Sequence, residues 1–135
     1  MTSHRATVTY FDRTVAYLKD KRWNDPFEPD DGLRVLICRY RPRGLSRAKV
    51  TWHEWECALA PSIALLDAFH DGLEWPTYRR RYLEELAGDA AQGALARLAF
   101  AVGTGRPVTL LCSSACTDPA RCHRTLARAE VERRL

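Results

Sequence analysis

The chain has 135 residues, of which 46% are hydrophobic and 28% are charged, and its formal net charge is +4. This length is typical of a single domain, and the apolar content excludes a disordered chain. We therefore expect one domain over residues 1–135, in which about the first ten residues could form a loose tail. The mild positive charge suits an anionic ligand, whereas dedicated nucleic-acid binders concentrate far more charge in one stripe.

The cellular setting follows from two absent patterns. No apolar run approaches the ~18 residues that a membrane span needs. The N-terminal residues also lack the basic-then-apolar layout of a signal peptide. We therefore expect a cytoplasmic protein without a membrane partner, and its five cysteines are expected to be reduced thiols.

Two short apolar runs predict buried strands. "RVLIC" at 34–38 follows the turn-rich "EPDDG", and "PVTLLC" at 107–112 follows "GTGR". Unbroken apolar runs of this length favour central strands that are covered on both faces. A third strand is predicted in either 6–11 or 14–18, and the pattern does not choose between them.

Helical patterns separate the two strong strands. Ser62 is predicted to cap a helix that ends near Gly72, Pro76 opens a second helix that ends near Gly88, and "AAQGALARLAFAVG" continues the theme. The sequence therefore predicts an α/β fold: a small single domain with a mainly parallel sheet and helices packed on it. The two apolar strands should be adjacent and parallel, with their carboxyl ends at one edge.

A C-terminal helix is predicted after the last central strand. Asp118 is its expected N-cap and Pro119 its first residue, and "ARCHRTLARAEVERRL" continues to the end of the chain. In open α/β sheets, ligands bind where the carboxyl ends of strands run into helix N-termini. The residues around this joint are therefore the first candidates for a site.

Arginines and serines in the two strand-end loops predict an anion site. Free backbone N–H groups at a helix start attract anions, and arginine grips phosphate or carboxylate bidentately. Arg124 is expected at the protein surface as one clamp, although solvated loops remain the alternative. The predicted anion-binding residues are Arg39, Arg43, Arg124, Ser113 and Ser114.

The cysteines of the second loop allow three interpretations. A helix N-terminus and nearby arginines lower a thiol pKa, which makes Cys112, Cys122 and His123 candidate catalytic residues. Alternatively Cys38, Cys112, Cys116 and Cys122 could bind a zinc or iron ion, since the first pair in the loop has C-x3-C spacing. Inert packing is the third interpretation, because free cysteine is among the most buried residue types.

Two motif sets resemble a known family. "DPFEPDDGLRVLICRYRPRGLSR", "YRRRYLEEL" and the closing "VTLLC…DPARCHRTL" are similar to the YeaO-like proteins of domain of unknown function 488, from about Lys21 to the C-terminus. The resemblance implies a compact α/β fold and no established activity. This chain has Cys38 where the family usually has Asp, Arg41 where the YeaO-like branch has Trp, and Cys116 as an addition. The family motif residues correspond to Arg39, Pro42, Arg43, Gly44, Cys112, Cys122, His123 and Arg124.

Three functions follow from these patterns. The first is an enzyme or sensor that binds an anionic, phosphate-bearing small molecule in a crevice between the Arg39–Arg47 and Cys112–Arg124 loops. The second is a metal-binding or redox thiol protein that uses the cysteines and His123. The third and least favoured is a nucleic-acid-binding module built on "YRRRYLEEL", because Glu84 and Glu85 follow its arginines and its tyrosines suit a core.

Overall fold

The structure is a computed structural model that describes the backbone of residues 4–10 and 13–135 and the side chains from Leu18 onward. Four strands are followed by three α-helices, a fifth strand and a last α-helix. Within the described part every helix is too short or too polar to cross a membrane. The strands are β1 (His4–Tyr10), β2 (Arg13–Arg22), β3 (Leu33–Leu36), β4 (Glu54–Trp55) and β5 (Val108–Cys112). The α-helices are α1 (Ile63–His70), α2 (Trp75–Leu86), α3 (Asp89–Gly103) and α4 (His123–Glu132).

The five strands form one sheet in the order β1-β2-β5-β3-β4. β1 is antiparallel to β2, and the other neighbours are parallel. The prediction that the two apolar runs are adjacent, parallel and central is confirmed, with Val35 opposite Leu110. Both candidate segments for the third strand lie in strands. The segment 6–11 belongs to β1 as far as Tyr10, and the segment 14–18 lies within β2. His4–Tyr10, for which a loose tail was expected, forms the edge strand β1.

The helices cover one face of the sheet and build the main core on it. Alternate residues of the central strands, among them Leu18, Val35 and Leu110, are fully buried on this face. Leu95 and Leu98 of α3 pack in the same cluster. The α/β architecture with helices on a mainly parallel sheet and a C-terminal helix after β5 is therefore confirmed.

The opposite face carries a buried ionic cluster. Lys19 and Arg34 both lie opposite Thr109 in the strand register, so they share this face. The carboxylate of Asp31 lies 2.5 Å from the Lys19 ammonium and 2.8 Å from that of Lys21, and it also accepts from Arg34. Burial alone would raise the pKa of Asp31, but the hydrogen bonds from the lysines outweigh it and lower that pKa.

The start of the last helix differs from the prediction. Asp118 caps only a 3-10 turn, Pro119–Arg121, by accepting from the Ala120 N–H. Cys122 then adopts an extended backbone (φ −136°, ψ 139°), and α4 begins at His123. The predicted continuous helix from Pro119 is wrong. Consecutive helical residues point about 100° apart, so a break at Cys122 allows three neighbours, Cys122 to Arg124, to be buried together.

Candidate functional site

Two cavities open where β3 and β5 end. The arginine crevice has a volume of about 570 Å³ and the thiol cavity one of about 350 Å³. They share Cys38, Tyr40 and Ser113 in their walls. The arginine crevice is further lined by Trp23, Arg41, Pro42, Arg43 and Ser114. The parallel pairing of β3 with β5 therefore brings both predicted loops to one edge of the sheet, as expected.

Two arginines line the arginine crevice in different ways. Arg41 donates to the Leu45 carbonyl oxygen at 2.9 Å, and its guanidinium lies 5.7 Å from the centre of the Trp52 ring. Arg43 is exposed, and no described residue pairs with its guanidinium. Gly44, which follows it, has a positive φ of 70° and turns the loop. Arg41 is thus held in place, whereas Arg43 is available to a ligand.

The Arg39 side chain makes hydrogen bonds within the fold that the sequence did not indicate. Its guanidinium donates to three backbone carbonyl oxygens, those of Pro61 at 3.0 Å and of Cys57 and Ala60 at 3.3 Å each. The side chain lies in the wall of the thiol cavity and not of the arginine crevice. The structure therefore separates Arg39 from Arg43, its predicted partner.

Arg124 is buried, and the expectation that it lies at the surface is wrong. Its guanidinium is fully buried, with Nε 3.0 Å from Asp20 Oδ1 and a second nitrogen 3.2 Å from the carbonyl oxygen of Cys116. Arg128 Nε lies 2.8 Å from the other Asp20 oxygen. Asp20 is two residues after Leu18 on β2, and this spacing places it on the helix-covered face. An acidic residue at a core-facing strand position is the sequence signal that could have identified Asp20 as the partner of Arg124.

Three thiols meet at the end of β5. Cys112 Sγ lies 3.1 Å from Cys116 Sγ and 3.1 Å from Cys122 Sγ, and all three sulfurs lie within 4.8 Å of one another. Cys112 and Cys122 are buried, whereas Cys116 is partly exposed in the thiol cavity. Cys38 hydrogen-bonds to Cys112 from the end of the neighbouring strand. The structure thus brings together the predicted thiols of both strand ends.

The three thiols are linked by hydrogen bonds through Cys112. Cys112 donates to Cys116, and Cys112 and Cys122 share the second bond. Hydrogen bonds with Cys112 and Cys122 lower the pKa of Cys116 well below its ordinary value, and the charge of Arg124 adds to the effect against the opposing cost of burial. The bond to Cys116, together with those of Cys122 and Cys38, raises the pKa of Cys112. Of the three thiols, Cys116 is therefore the most acidic.

For Cys122, two influences oppose each other. Its hydrogen bond with Cys112 lowers the pKa of Cys122, but the influence of Cys116 and burial in the protein outweigh this and raise it. Cys122 is therefore a weaker acid than Cys116.

His123 is neutral and has one defined tautomer. Nε2 lies 2.7 Å from the Ile37 carbonyl oxygen, which can only accept, so Nε2 carries the proton. Nδ1 is then the acceptor, and it lies 3.8 Å from Cys112 Sγ. Burial lowers the pKa of His123 and keeps the ring uncharged. His123 is therefore placed to take a proton from Cys112.

The donor set suits a thiophilic metal ion. Zinc and iron bind thiolates, and Cys112, Cys116 and Cys122 are close enough together to hold one ion. Cys38, the fourth predicted ligand, contacts Cys112 but lies outside this group of three. His123 contacts the cluster at Cys112. Three sulfur ligands on one side of an open cavity leave further coordination positions to be filled.

Comparison with known proteins identifies the family. The model of the active DUF488-N3 subclade matches residues 18–135, which include both strand-end loops and the thiol cluster. The chain belongs to the DUF488 family. The predicted resemblance is therefore confirmed.

Three similar proteins carry names that state no function. YeaO of Escherichia coli is 39% identical over 95 residues, which cover 70% of this chain and 80% of YeaO. Rv3073c of Mycobacterium tuberculosis and Mb3100c of Mycobacterium bovis are each 35% identical over 85 residues, 62% of this chain and 68% of theirs. No solved structure gives a significant match. For this DUF488 protein, function must be argued from the site itself.

Proposed function

We propose that this DUF488 protein binds an anionic, phosphate-bearing small molecule in the arginine crevice. The observation that carries the proposal is one cavity of about 570 Å³ at the carboxyl edge of the sheet, lined by Arg41, Arg43, Ser113 and Ser114. Its size falls within the usual range for small-ligand pockets. Guanidinium groups bind phosphate oxygens through paired, charge-assisted hydrogen bonds.

The crevice residues have complementary roles in this proposal. Arg41 is held by the Leu45 carbonyl and the Trp52 ring, so little side-chain freedom is lost when it meets a ligand. Arg43 supplies the free guanidinium. Ser113 Oγ already accepts from the Ala115 N–H, which leaves its hydroxyl proton to donate to an anion. Arg41 takes the role of second clamp that the sequence assigned to Arg124, because the guanidinium of Arg124 pairs with Asp20.

Calorimetric titration with inorganic phosphate and with a nucleoside monophosphate tests the proposal. Replacing Arg43 by Ala should weaken binding by about 1.5–3 kcal/mol, the range for hydrogen bonds to charged groups. The unfolding free energy should barely change because Arg43 is exposed. Arg47→Ala is the matched control, because Arg47 is an exposed arginine of the same loop outside the crevice wall. Equal affinities of the two variants would contradict the proposal.

A thiolate metal site is the second candidate function. The observation that favours it is the group of three Sγ atoms within 4.8 Å, which zinc or iron would satisfy. Elemental analysis and native mass of protein purified without chelators should then show one ion per chain. Cys116→Ser should lose the ion, whereas Cys57→Ser should keep it because Cys57 lies outside the cluster. Metal-free protein that takes up neither zinc nor ferrous iron would contradict this candidate.

A further inference from the structure

The thiol cluster contains an unequal pair of neighbouring sulfurs. Cys112 and Cys116 both line the thiol cavity and their sulfurs lie 3.1 Å apart, but Cys116 is partly exposed whereas Cys112 is fully buried. We propose that Cys116 is a peroxide-reactive thiol and Cys112 its resolving thiol, so that a hydroperoxide converts the pair into a reversible disulfide. This activity goes beyond anion binding and uses neither Arg41 nor Arg43.

Access to the two sulfurs decides their order of reaction. The thiol cavity has room for a small hydroperoxide, at about 350 Å³, and its wall includes the apolar side chains of Leu66 and Phe69. Cys112 has no exposed surface, whereas Cys116 is partly exposed. A reactant that enters the cavity therefore reaches Cys116 first.

The first step oxidises Cys116. Its sulfur attacks the terminal oxygen of the hydroperoxide, a new S–O bond forms and the O–O bond breaks. The leaving alkoxide or hydroxide takes up the Cys116 thiol proton, relayed through solvent, and departs as an alcohol or water. The sulfur loses two electrons to the peroxide and becomes a sulfenic acid. The carbonyl oxygen of Cys116 accepts a hydrogen bond from the buried guanidinium of Arg124. This hydrogen bond fixes the backbone of Cys116 during the step.

The second step forms the disulfide. Cys112 Sγ attacks the sulfenic sulfur of Cys116, the S–O bond breaks, and hydroxide leaves as water with the proton of Cys112. His123 Nδ1, 3.8 Å from Cys112 Sγ, accepts that proton and passes it to the leaving hydroxide. A disulfide bond is about 2.05 Å long, so the two sulfurs need to approach by only about 1 Å. An external dithiol reverses the reaction by exchange and is itself oxidised to a disulfide.

Thiol counting after exposure to hydrogen peroxide tests the proposal. Protein as purified, with its metal content measured, is treated with one equivalent of peroxide, then denatured, alkylated and weighed. Two of the five cysteines should lose their thiols. Trypsin cleaves after Arg121, so Cys112 and Cys116 stay on one peptide and Cys122 falls on the next. The expected product is therefore a single peptide with an internal disulfide, which is not alkylated. After reduction this peptide should show two free thiols.

Variants assign the roles of the two sulfurs. Cys116→Ser should react at least tenfold more slowly than Cys57→Ser, the control cysteine outside the cluster, with both folded by circular dichroism. Cys112→Ser should stop at a sulfenic acid on Cys116 that a 1,3-diketone probe captures. Arg47→Ala should react at the wild-type rate, because Arg47 is exposed and lies outside the walls of both cavities.

Three outcomes would overturn the proposal. The first is five thiols retained after peroxide, whatever the metal content. The second is a disulfide that joins two tryptic peptides, which would pair Cys112 or Cys116 with a different cysteine. The third is a Cys116→Ser variant that is oxidised as fast as Cys57→Ser.

Discussion

At the scale of single residues, the decisive finding is the ion pair between Arg124 and Asp20. These residues are 104 positions apart in the chain, and both side chains are fully buried. Removing one member of such a pair leaves the other charge in a poorly solvating interior. Arg124 is therefore a structural residue that also fixes the backbone of Cys116.

We expect Arg124→Ala to lower the free energy of unfolding by about 3 kcal/mol, the lower end of the range for breaking a buried pair, because Arg128 still pairs with Asp20. Urea denaturation followed by circular dichroism measures this change. Arg121→Ala is the control, because Arg121 is an exposed arginine of the same segment, and its effect should stay within about 0.5 kcal/mol. Similar midpoints for the two variants would show that the Asp20 pair contributes little.

At the scale of elements, two glycines with positive φ control the approaches to the site in different ways. Gly32 precedes β3 with a φ of 62°, and a Cβ there would lie 2.1 Å from the Pro107 carbonyl oxygen. Gly44 turns the arginine loop with a φ of 70°, and a Cβ there would meet no atom within 4 Å. The first glycine is required by both its backbone angle and a close approach, the second by its backbone angle alone.

Alanine at these two positions should separate the two effects. Gly44→Ala is expected to cost about 1–2 kcal/mol of unfolding free energy, the cost of a positive φ. Gly32→Ala should cost clearly more, because β3 must also move away from the chain that enters β5. Denaturation midpoints of the two variants give the comparison, and a Gly32→Ala variant as stable as Gly44→Ala would contradict it.

The first helix has a cap that the sequence predicted correctly. Ser62 Oγ accepts a hydrogen bond from the Leu65 N–H. The backbone N–H of Ser62 donates to Glu85 of α2 at 2.8 Å. Ser62→Ala should therefore lower the unfolding free energy by about 1 kcal/mol. Ser46→Ala is the matched control, since Ser46 begins a 3-10 turn without a side-chain cap bond. A loss of stability as large in Ser46→Ala would contradict the capping role of Ser62.

At the scale of the whole molecule, the buried ionic cluster around Asp31 joins β2, β3 and the turn between them. It should govern how the free energy of unfolding changes at acidic pH. The pKa of Asp31 is lowered from its ordinary value of 3.8 in the folded protein. Its contribution is therefore present above about pH 3.8 and is lost as the pH falls through the lowered pKa. Unfolding free energies should decrease steadily as the pH is lowered from about 5 to about 2.

Asp31→Asn tests this assignment. The variant should be less stable at neutral pH, because the Lys19 and Lys21 ammonium groups lose their shared carboxylate. Its unfolding free energy should also change less with pH than that of the wild type over the acidic range. Asp71→Asn is the control, because the Asp71 side chain is exposed. An unchanged acid slope in Asp31→Asn would assign acid unfolding to other carboxylates.

Features that depend only on neighbouring residues were predictable from the sequence. Apolar runs predicted β3 and β5, because strands covered on both faces need no polar alternation. The Ser62 cap and the family motifs were also readable, since both are local patterns. Parallel pairing at one edge followed from the helical segments between the strands. These signals together were sufficient to predict the fold class and the edge of the sheet that holds the cavities.

The partner that each site residue contacts depends on the folded chain and is not visible in the local sequence. Arg39, Arg43 and Arg124 look alike in sequence, yet one binds backbone carbonyls, one lines the arginine crevice and one pairs with Asp20. The arrangement of the thiols likewise depends on an extended Cys122 that local propensity did not predict. Burial and pairing are set by residues distant in the chain, and a local pattern records the character of a side chain without recording its partner.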